Sequence, residues 1–457
     1  MNVIYINTHD SGRILSPYGY DVPTPNLRKF SEDALVYRQA YCVGPTCSPS
    51  RSGLVTGMYP HSNGMIGLSQ RGFGLKNYNW HLVNKVKEEG YKTILCGIQH
   101  EAGSYLDHSK GAAIIGYDED ITCDNKGIEQ EDLVKWDYKN AKSVAEWIKT
   151  NGKKEKFFIS YGLYATHRRY PKKVDESIDK RYIVAPYPIV DTDENREDHA
   201  RYLTSAAWFD KCFGLVIDTL KDEGLYEDTI IIFTTDHGLA VPYSKCNLYD
   251  SGIGVALVIR VPGVKANGKI TDSLVSQVDI YPTLCDLLNI EKPERLQGKS
   301  FVNLFSDSKG IHREEVFAEI NFHTSYEPTR CVRTKRYKYL EYLDESYLRI
   351  NYSNIDESIP KKVLMNNGLE DQVKPRIALF DLYHDPGERR NLVEDERYKD
   401  VLDNMKNRLL KWQEETEDPL INGDIKIQNN WKVNKRECLN PSSKNEEDYD
   451  NIPTISL

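Results

Sequence analysis

A cysteine and an arginine one helical turn apart are the residues of this 457-residue chain best suited to chemistry. They lie in the stretch Cys47-Ser-Pro-Ser-Arg-Ser-Gly-Leu-Val-Thr-Gly57, where Pro49 can occupy the first turn of a helix without losing a hydrogen bond. The amino end of a helix stabilises negative charge, and the fork of Arg51 suits a tetrahedral oxyanion. The stretch therefore predicts an anion pocket with the sulfur of Cys47 at its floor.

Histidine and aspartate side chains follow four β-rich apolar runs of the chain. The runs span residues 2–7, 93–97, 157–161 and 229–234, and helical segments predicted over 26–37, 81–89, 138–150 and 196–223 separate them. The polar residues that follow these runs are His9, Asp10, His100, His167, Asp236 and His237. Because the carboxyl ends of parallel strands meet at one edge of a sheet, the pattern predicts a doubly wound α/β domain with a single site.

These side chains have the chemistry of a metal site with acid–base groups beside it. Carboxylate oxygens suit Ca²⁺, whereas imidazole nitrogens suit Zn²⁺, Mn²⁺ or Fe²⁺. Histidine also transfers protons near neutral pH. An isolated histidine is usually a hydrogen-bonded core residue, but two His-Asp pairs at separate strand ends, 9–10 and 236–237, favour metal ligands.

The run from Cys47 to Gly57 resembles the signature of the sulfatase family, Cys-x-Pro-Ser-Arg followed by Thr-Gly. The segments 58–68, 382–392 and 411–419 are similar to the sulfamidase, or heparan N-sulfatase, branch of that family. The resemblance implies an alkaline-phosphatase-like fold, a mixed sheet sandwiched by helices with a smaller C-terminal subdomain of an antiparallel sheet and a helix. It also implies hydrolysis of sulfate esters or sulfamates, with sulfated sugars of the heparan type as substrates.

The resemblance assigns roles to the candidate residues. Cys47 would be oxidised to formylglycine by a maturation enzyme, and its hydrated aldehyde would be the nucleophile. The metal, Ca²⁺ by resemblance with Mn²⁺ and Zn²⁺ left open by the imidazoles, would be held by His9, Asp10, Cys47, Asp236 and His237. The sulfate would be clamped by Arg51 and Lys245, and protons would be moved by His100 and His167.

One position departs from the family pattern. Ile98 stands where relatives of the family have a lysine, in Ile98-Gln99-His100. The loss of a cation from an anion pocket weakens charge-assisted binding. Arg168 and Arg169, which follow His167, are the nearest candidates in sequence to replace it.

The pattern of elements changes near residue 314. Strands are predicted over 316–320, 336–342 and 379–383, and a helix is predicted over 398–415. The sequence therefore predicts a catalytic α/β domain over 1–312 and an α+β subdomain over 313–422. A polar tail follows over 423–457, and the irregular stretch 101–135 is predicted to be a loop.

Composition limits the partners of the protein. A net charge of −9 argues against nucleic acid, and no apolar run has the length of a membrane span. The nine cysteines form no CxxC pair, and without a secretory leader they indicate reduced thiols. The chain is expected to be cytoplasmic unless a leader has been removed, and whether it forms a homodimer is left open.

Three other functions fit the same residues. The chain could be an arylsulfatase for aryl or steroid sulfates, or a phosphodiesterase or phosphonate hydrolase, because tetrahedral oxyanions resemble one another. It could also be a glycan-binding protein in which Cys47 is never converted.

Overall fold

The structure, a computed structural model, describes residues 1–103 and 108–451. Its first strands are β1 (Asn2–Thr8), β2 (Leu35–Tyr37), β3 (Ala40–Tyr41), β4 (Lys92–Gly97), β5 (Glu119–Asp120), β6 (Phe157–Gly162), β7 (Thr229–Thr235), β8 (Gly254–Val255), β9 (Leu257–Arg260), β10 (Ile270–Thr271) and β11 (Val275–Ser276). The later strands are β12 (Glu315–Phe322), β13 (Tyr326–Thr334), β14 (Tyr337–Tyr342), β15 (Ile377–Asp381), β16 (Val433–Asn434) and β17 (Tyr449–Asn451).

The helices lie mostly between the strands of the first half of the chain. They are α1 (Pro25–Ser31), α2 (Cys47–Thr56), α3 (Pro60–Asn63), α4 (Leu82–Glu88), α5 (His108–Ile115), α6 (Leu133–Asn151), α7 (Asp193–Asp222), α8 (Asp250–Ile253), α9 (Ile280–Leu288), α10 (Ile359–Met365) and α11 (Lys399–Glu415). Within the described ranges, no helix combines the length and the apolar character needed to cross a membrane.

The large sheet is mixed, and its middle strands are parallel. In spatial order its strands are β10-β2-β9-β7-β1-β6-β4-β5, and β1 pairs in parallel with both β7 and β6. Residues of β1 alternate between two cores: Val3 and Tyr5 enter one, Ile4 and Ile6 the other. Helices cover both faces, which explains the unbroken apolar sequence of the strand and confirms the predicted fold class.

The predicted helix over 26–37 is wrong in its second half. Helix α1 ends at Ser31, and Leu35–Tyr37 forms strand β2 instead. Leu35 pairs with Ile259 of β9, and Val36 lies between β9 and β10. Pairing on both sides of a buried strand outweighs the weak helical spacing of the apolar residues here.

The stretch 101–135 is more regular than the predicted loop. It contains α5 and the edge strand β5, in which Glu119 pairs with Ile94 of β4. A two-residue edge strand has no apolar alternation, so its sequence carries no signal. Residues 104–107 of this prediction, and 452–457 of the predicted tail, lie outside the described residues.

A second sheet with strand order β12-β13-β14-β15 is antiparallel throughout. Helix α11 packs on it through Met405, Leu409 and Trp412. Strand β13 has no counterpart among the predicted strands, because its charged residues resemble a loop. Arg330 at its centre is fully buried and pairs with Asp418 at 2.7 Å. The predicted domain boundaries at residues 312 and 422 stay predictions.

The polar tail lies on the protein surface in the described range. Trp431 stacks on Phe73, with 4.4 Å between the ring centroids, and β16 pairs with β17. Arg71 donates hydrogen bonds to the carbonyl of Pro441 and to the side chain of Asn434. The tail is therefore fastened to the segment that follows α2 and α3.

Trp412 is the residue of α11 whose loss should destabilise the protein most. Its ring stacks on Phe317 at 5.0 Å and meets Tyr59 edge-on at 4.9 Å. We expect Trp412→Ala to lower the free energy of unfolding by about 3–5 kcal/mol, because it leaves a large cavity. Denaturant-induced unfolding measures the change. Leu410→Ala is the matched control, since Leu410 is 48% exposed and should change stability little.

Candidate active site

Cys47 is the first residue of α2 and is only 2% exposed. Thr46 before it has extended backbone angles, and Gly57 ends the helix with φ of 66°, a left-handed conformation that glycine adopts easily. Ser50, one turn further, donates a hydrogen bond to the carbonyl of Asp236 at 2.5 Å. The helix is thus anchored to the end of β7, and burial raises the pKa of the Cys47 thiol.

The two candidate carboxylates follow neighbouring strands. Thr8 of β1 pairs with Thr235 of β7, so Asp10 and Asp236 leave the sheet side by side. Asp236 Oδ1 accepts hydrogen bonds at 2.9 Å from the backbone amides of both Asp10 and His237. Asp10 has a φ of 43°, a sparsely populated conformation that turns the chain at this point. Backbone geometry therefore fixes both carboxylates.

The ligand atoms of Asp10, Cys47, Asp236 and His237 lie within 4.8 Å of one another. Both carboxylates are buried, and Asp10 Oδ1 accepts no hydrogen bond from any described residue. His237 Nδ1 lies 3.0 Å from the carbonyl of Gly238, which places the ring proton on that nitrogen. His237 Nε2 is then a free lone pair, 3.3 Å from Asp10 and 3.5 Å from Cys47 Sγ. This donor set fits a divalent cation.

His9 lies at the edge of the same cluster, between Asp236 and Arg51. Its Nδ1 is 3.1 Å from Asp236 Oδ2, and its Nε2 is 2.9 Å from a guanidinium nitrogen of Arg51. Because Arg51 has no acceptor, Nε2 must accept the hydrogen bond, and the ring proton is on Nδ1. Ligation of a metal by His9 would require this contact to break. Burial and Arg51 lower the pKa of His9 to about 3.

Two buried cations contact these carboxylates. Arg51 is 2% exposed, with Nε 3.6 Å from Asp236 Oδ2. Lys245 is 4% exposed and lies 3.4 Å from Asp10 Oδ2, so it is not a solvated surface lysine. Burial would lower the pKa of Lys245, but Asp10 and Asp356 raise it well above its usual value. Both side chains are therefore charged, and both charges act on the Cys47 thiol.

His100 and His167 lie next to His9. The ring centroids are 4.8 Å apart for His9 and His100 and 5.3 Å apart for His9 and His167. His100 is 1% exposed, and burial together with His9 and Arg51 lowers its pKa well below the usual value. The His167 side chain is 17% exposed and its Nε2 lies 3.9 Å from Asp10 Oδ2. The structure thus places one histidine deep in the site and one at its mouth.

The arginines proposed to replace the missing lysine are placed elsewhere. Arg168 donates two hydrogen bonds to Asp198, at 2.8 and 2.6 Å, and a third to the carbonyl of Ala240. Arg169 has a side chain that is 73% exposed and faces Glu131. Ile98 packs with Trp136 and Tyr164. The expectation that this loop supplies a sulfate-binding arginine does not fit these contacts.

The structure adds residues of the second half of the chain to the site. Asp356 Oδ2 lies 2.8 Å from Lys245 Nζ. His323 is buried near it, and the charges of Lys245 and Asp356 act on its ring. For His323, which follows the predicted strand 316–320, the sequence indicates only that it could reach the mouth of the pocket. It gave no signal for Asp356, which lies in an irregular stretch far from the strand ends.

Comparisons with known proteins agree with this geometry. The Sulfatase family model matches residues 1–290, and the model described as N-sulphoglucosamine sulphohydrolase, C-terminal, matches residues 236–358. An ulvan-active sulfatase of Formosa agariphila is 27% identical over 456 residues, covering 90% of this chain and 74% of that protein. Human N-sulphoglucosamine sulphohydrolase is 24% identical over 468 residues, covering 92% and 91%. A solved structure of a 2-O GAG sulfatase matches with a TM-score of 0.71 at 21% identity, covering 93% and 94%.

Removal of a carboxylate should empty the metal site. We expect Asp236→Asn to weaken binding of a divalent ion by at least about 10- to 100-fold, the range seen when even an outer partner of a metal site is lost. Metal content by mass spectrometry and equilibrium dialysis with Ca²⁺, Mn²⁺ and Zn²⁺ measure the effect. Asp272→Asn is the control, because Asp272 pairs with Arg38 in solvent. Equal metal content in wild type and Asp236→Asn would contradict the assignment.

Proposed function

This chain belongs to the sulfatase family and is a sulfuric ester hydrolase, and we propose that it acts on sulfated sugars of the glycosaminoglycan type through a formylglycine made from Cys47. The observation that supports this proposal most strongly is the position of Cys47 Sγ. It lies 3.5 Å from His237 Nε2 in a buried cluster with two carboxylates, and the charges of two buried cations act on it. A tetrahedral dianion needs positive charge of this kind, and the nucleophile must lie within it.

A formylglycine-generating enzyme would recognise Cys47, Pro49 and Arg51 together and would convert only Cys47. The hydrated aldehyde would carry two hydroxyl groups at the amino end of α2, where the thiol now lies. A divalent ion bound by Asp10, Asp236 and His237, with position 47 as a further ligand, would supply Lewis acidity for the hydroxyl and the sulfate oxygens. Ca²⁺ is the choice of the family, and the imidazole ligand also suits Mn²⁺ and Zn²⁺.

The side chains of this chain divide the proton transfers. One hydroxyl loses its proton to solvent, and its oxygen forms a bond to sulfur while the bond from sulfur to the leaving oxygen or nitrogen breaks. Arg51 and Lys245 stabilise the negative charge on the sulfate oxygens. We assign protonation of the leaving group to His167, whose side chain is 17% exposed, with Lys245 as the alternative donor.

Release of sulfate needs a second proton transfer. We assign this transfer to His100, which is buried beside His9 and would accept the proton of the second hydroxyl. The carbon–oxygen bond to sulfate then breaks, and the aldehyde is restored. Water adds to the aldehyde to begin the next cycle.

The similarity of residues 236–358 to the C-terminal region of N-sulphoglucosamine sulphohydrolase favours a sulfated glucosamine unit as substrate, N-linked before O-linked. A panel of glucosamine N-sulfate, glucosamine 6-sulfate, 4-nitrophenyl sulfate and 4-nitrophenyl phosphate tests this choice. Faster release of sulfate from the glucosamine derivatives supports the proposal. Faster hydrolysis of the aryl sulfate or of the phosphate ester would favour an arylsulfatase or a phosphodiesterase.

Replacement of the nucleophile should abolish turnover. We expect Cys47→Ala to release no sulfate from any member of the panel, because alanine cannot be converted to the formylglycine nucleophile. Mass spectrometry of the peptide containing Cys47 should show the loss of H₂S and the gain of one oxygen atom in active wild-type protein, which distinguishes formylglycine from both cysteine and serine. Cys285→Ala is the control, since Cys285 is a buried thiol of α9 and its loss should preserve turnover. Appreciable activity of Cys47→Ala would contradict the mechanism.

A further inference from the structure

Two loops of the second half of the chain cover the site beside Lys245. We call residues 323–325 and 351–356 the roof loops. Asn354 joins them, because its Oδ1 accepts hydrogen bonds at 3.1 Å from the backbone amides of Thr324 and Ser325 and from the Ser325 hydroxyl. Ser325 Oγ also donates to Asn351 Oδ1 at 2.7 Å. The two loops therefore form one rigid unit.

The tail of the chain fastens the roof loops from the outside. The backbone amide of Asn434 donates to the carbonyl of Thr324 at 2.7 Å, and the amide of Ser353 donates to the carbonyl of Arg436 at 3.3 Å. Asn434 is itself held by Arg71, at 2.9 Å. A carboxylate carried by the roof loops is thus held in a fixed position relative to the site.

Asp356 is that carboxylate. Its Oδ2 lies 2.8 Å from Lys245 Nζ, which also meets Asp10 Oδ2 at 3.4 Å. The Asp356 side chain is 21% exposed while Lys245 is 4% exposed, so Asp356 lies nearer the mouth. Burial alone would raise the pKa of Asp356, but Lys245 and His323 lower it, which keeps the carboxylate charged.

His323 lies near this carboxylate and has a ring nitrogen that is available to bind a ligand. It is 4% exposed, and its Nδ1 has no hydrogen-bond partner among the described residues. A buried polar atom without a partner is costly unless a ligand supplies one. The roof loops therefore present a carboxylate and an imidazole nitrogen beside Lys245.

A negative charge next to an anion pocket opposes the binding of sulfate by itself, so its presence calls for another explanation. A carboxylate is an acceptor only and is well matched to a hydroxyl group. We propose that Asp356 determines specificity for sugars by accepting a hydrogen bond from the hydroxyl group on the carbon next to the sulfate-bearing one. His323 contacts the same sugar ring. This inference rests on the proposed sulfatase function and names the part of the leaving group that the enzyme recognises.

Paired substrates test the proposal directly. Wild type and Asp356→Asn are compared on glucosamine N-sulfate and glucosamine 3-sulfate, on their 3-deoxy and 4-deoxy analogues, in which the neighbouring hydroxyl is replaced by hydrogen, and on 4-nitrophenyl sulfate. We expect Asp356→Asn to lower kcat/KM about 10- to 100-fold for the complete sugars, as for loss of a charged hydrogen bond. The deoxy sugars and the aryl sulfate should change by less than about threefold, because neither has the hydroxyl.

The alternative is that Asp356 only holds Lys245 in position, and this alternative predicts different kinetics. In that case Asp356→Asn slows all substrates equally, which would overturn the proposal. Calorimetric titration of inorganic sulfate into Cys47→Ala protein, with and without Asp356→Asn, separates the two roles without turnover. The proposal expects sulfate affinity to be unchanged or higher after the substitution, since a repulsive charge is removed, whereas loss of a support for Lys245 lowers it.

Glu357→Gln is the matched control, because the neighbouring Glu357 is 49% exposed and pairs with Lys361. It should leave every rate and affinity unchanged. Wild-type protein that releases sulfate from the aryl ester but from neither sugar would overturn the proposal while preserving the sulfatase function. Wild-type protein without activity on any sulfate ester would refute the proposed function itself, and the calorimetric result would still decide the role of Asp356 in sulfate binding.

Discussion

Two like charges buried side by side set the requirement that the rest of the site meets. Asp10 and Asp236 are fully buried at the carboxyl ends of adjacent parallel strands, and ionised carboxylates in such a place are unstable without nearby positive charge. Arg51 and Lys245 supply part of that charge. The buried Asp10 oxygen without a hydrogen-bond partner favours the binding of a divalent ion as well. The same positive field that stabilises the carboxylates is what a sulfate group needs, so stability and substrate binding depend on one arrangement.

The two halves of the molecule contribute different parts of the chemistry. The large sheet and α2 supply the nucleophile position, the carboxylates and the histidines. These residues meet at the carboxyl ends of the parallel strands. The second half supplies the roof loops, whose Asp356 pairs with Lys245. The nucleophile position and the roof loops therefore lie on separate segments of the chain, which can vary independently.

The roof must keep its position relative to the sheet, and a buried ion cluster joins the two halves. Lys338 of β14 is fully buried and lies 2.7 Å from Asp250 of α8 and 2.8 Å from Glu388. Arg333 of β13 also pairs with Asp250, at 3.2 Å. Loss of one member of such a cluster leaves an uncompensated charge and costs about 3–5 kcal/mol. The geometry of the site is thus coupled to ion pairs remote from it.

The sequence determined what is local. The spacing of Cys47, Pro49 and Arg51 lies within one helix, and apolar runs followed by His or Asp are legible because each strand and its end are continuous in the chain. Tertiary structure alone decided what depends on distant segments: Arg168 is bound by Asp198 of α7, and Arg51 orients His9. Asp356 reaches Lys245 across more than a hundred residues, through loops whose hydrogen bonds leave no periodic pattern. Helix α1 is shorter than the helix predicted over 26–37 for the same reason, because residues 35–37 pair as β2 with strands far along the chain.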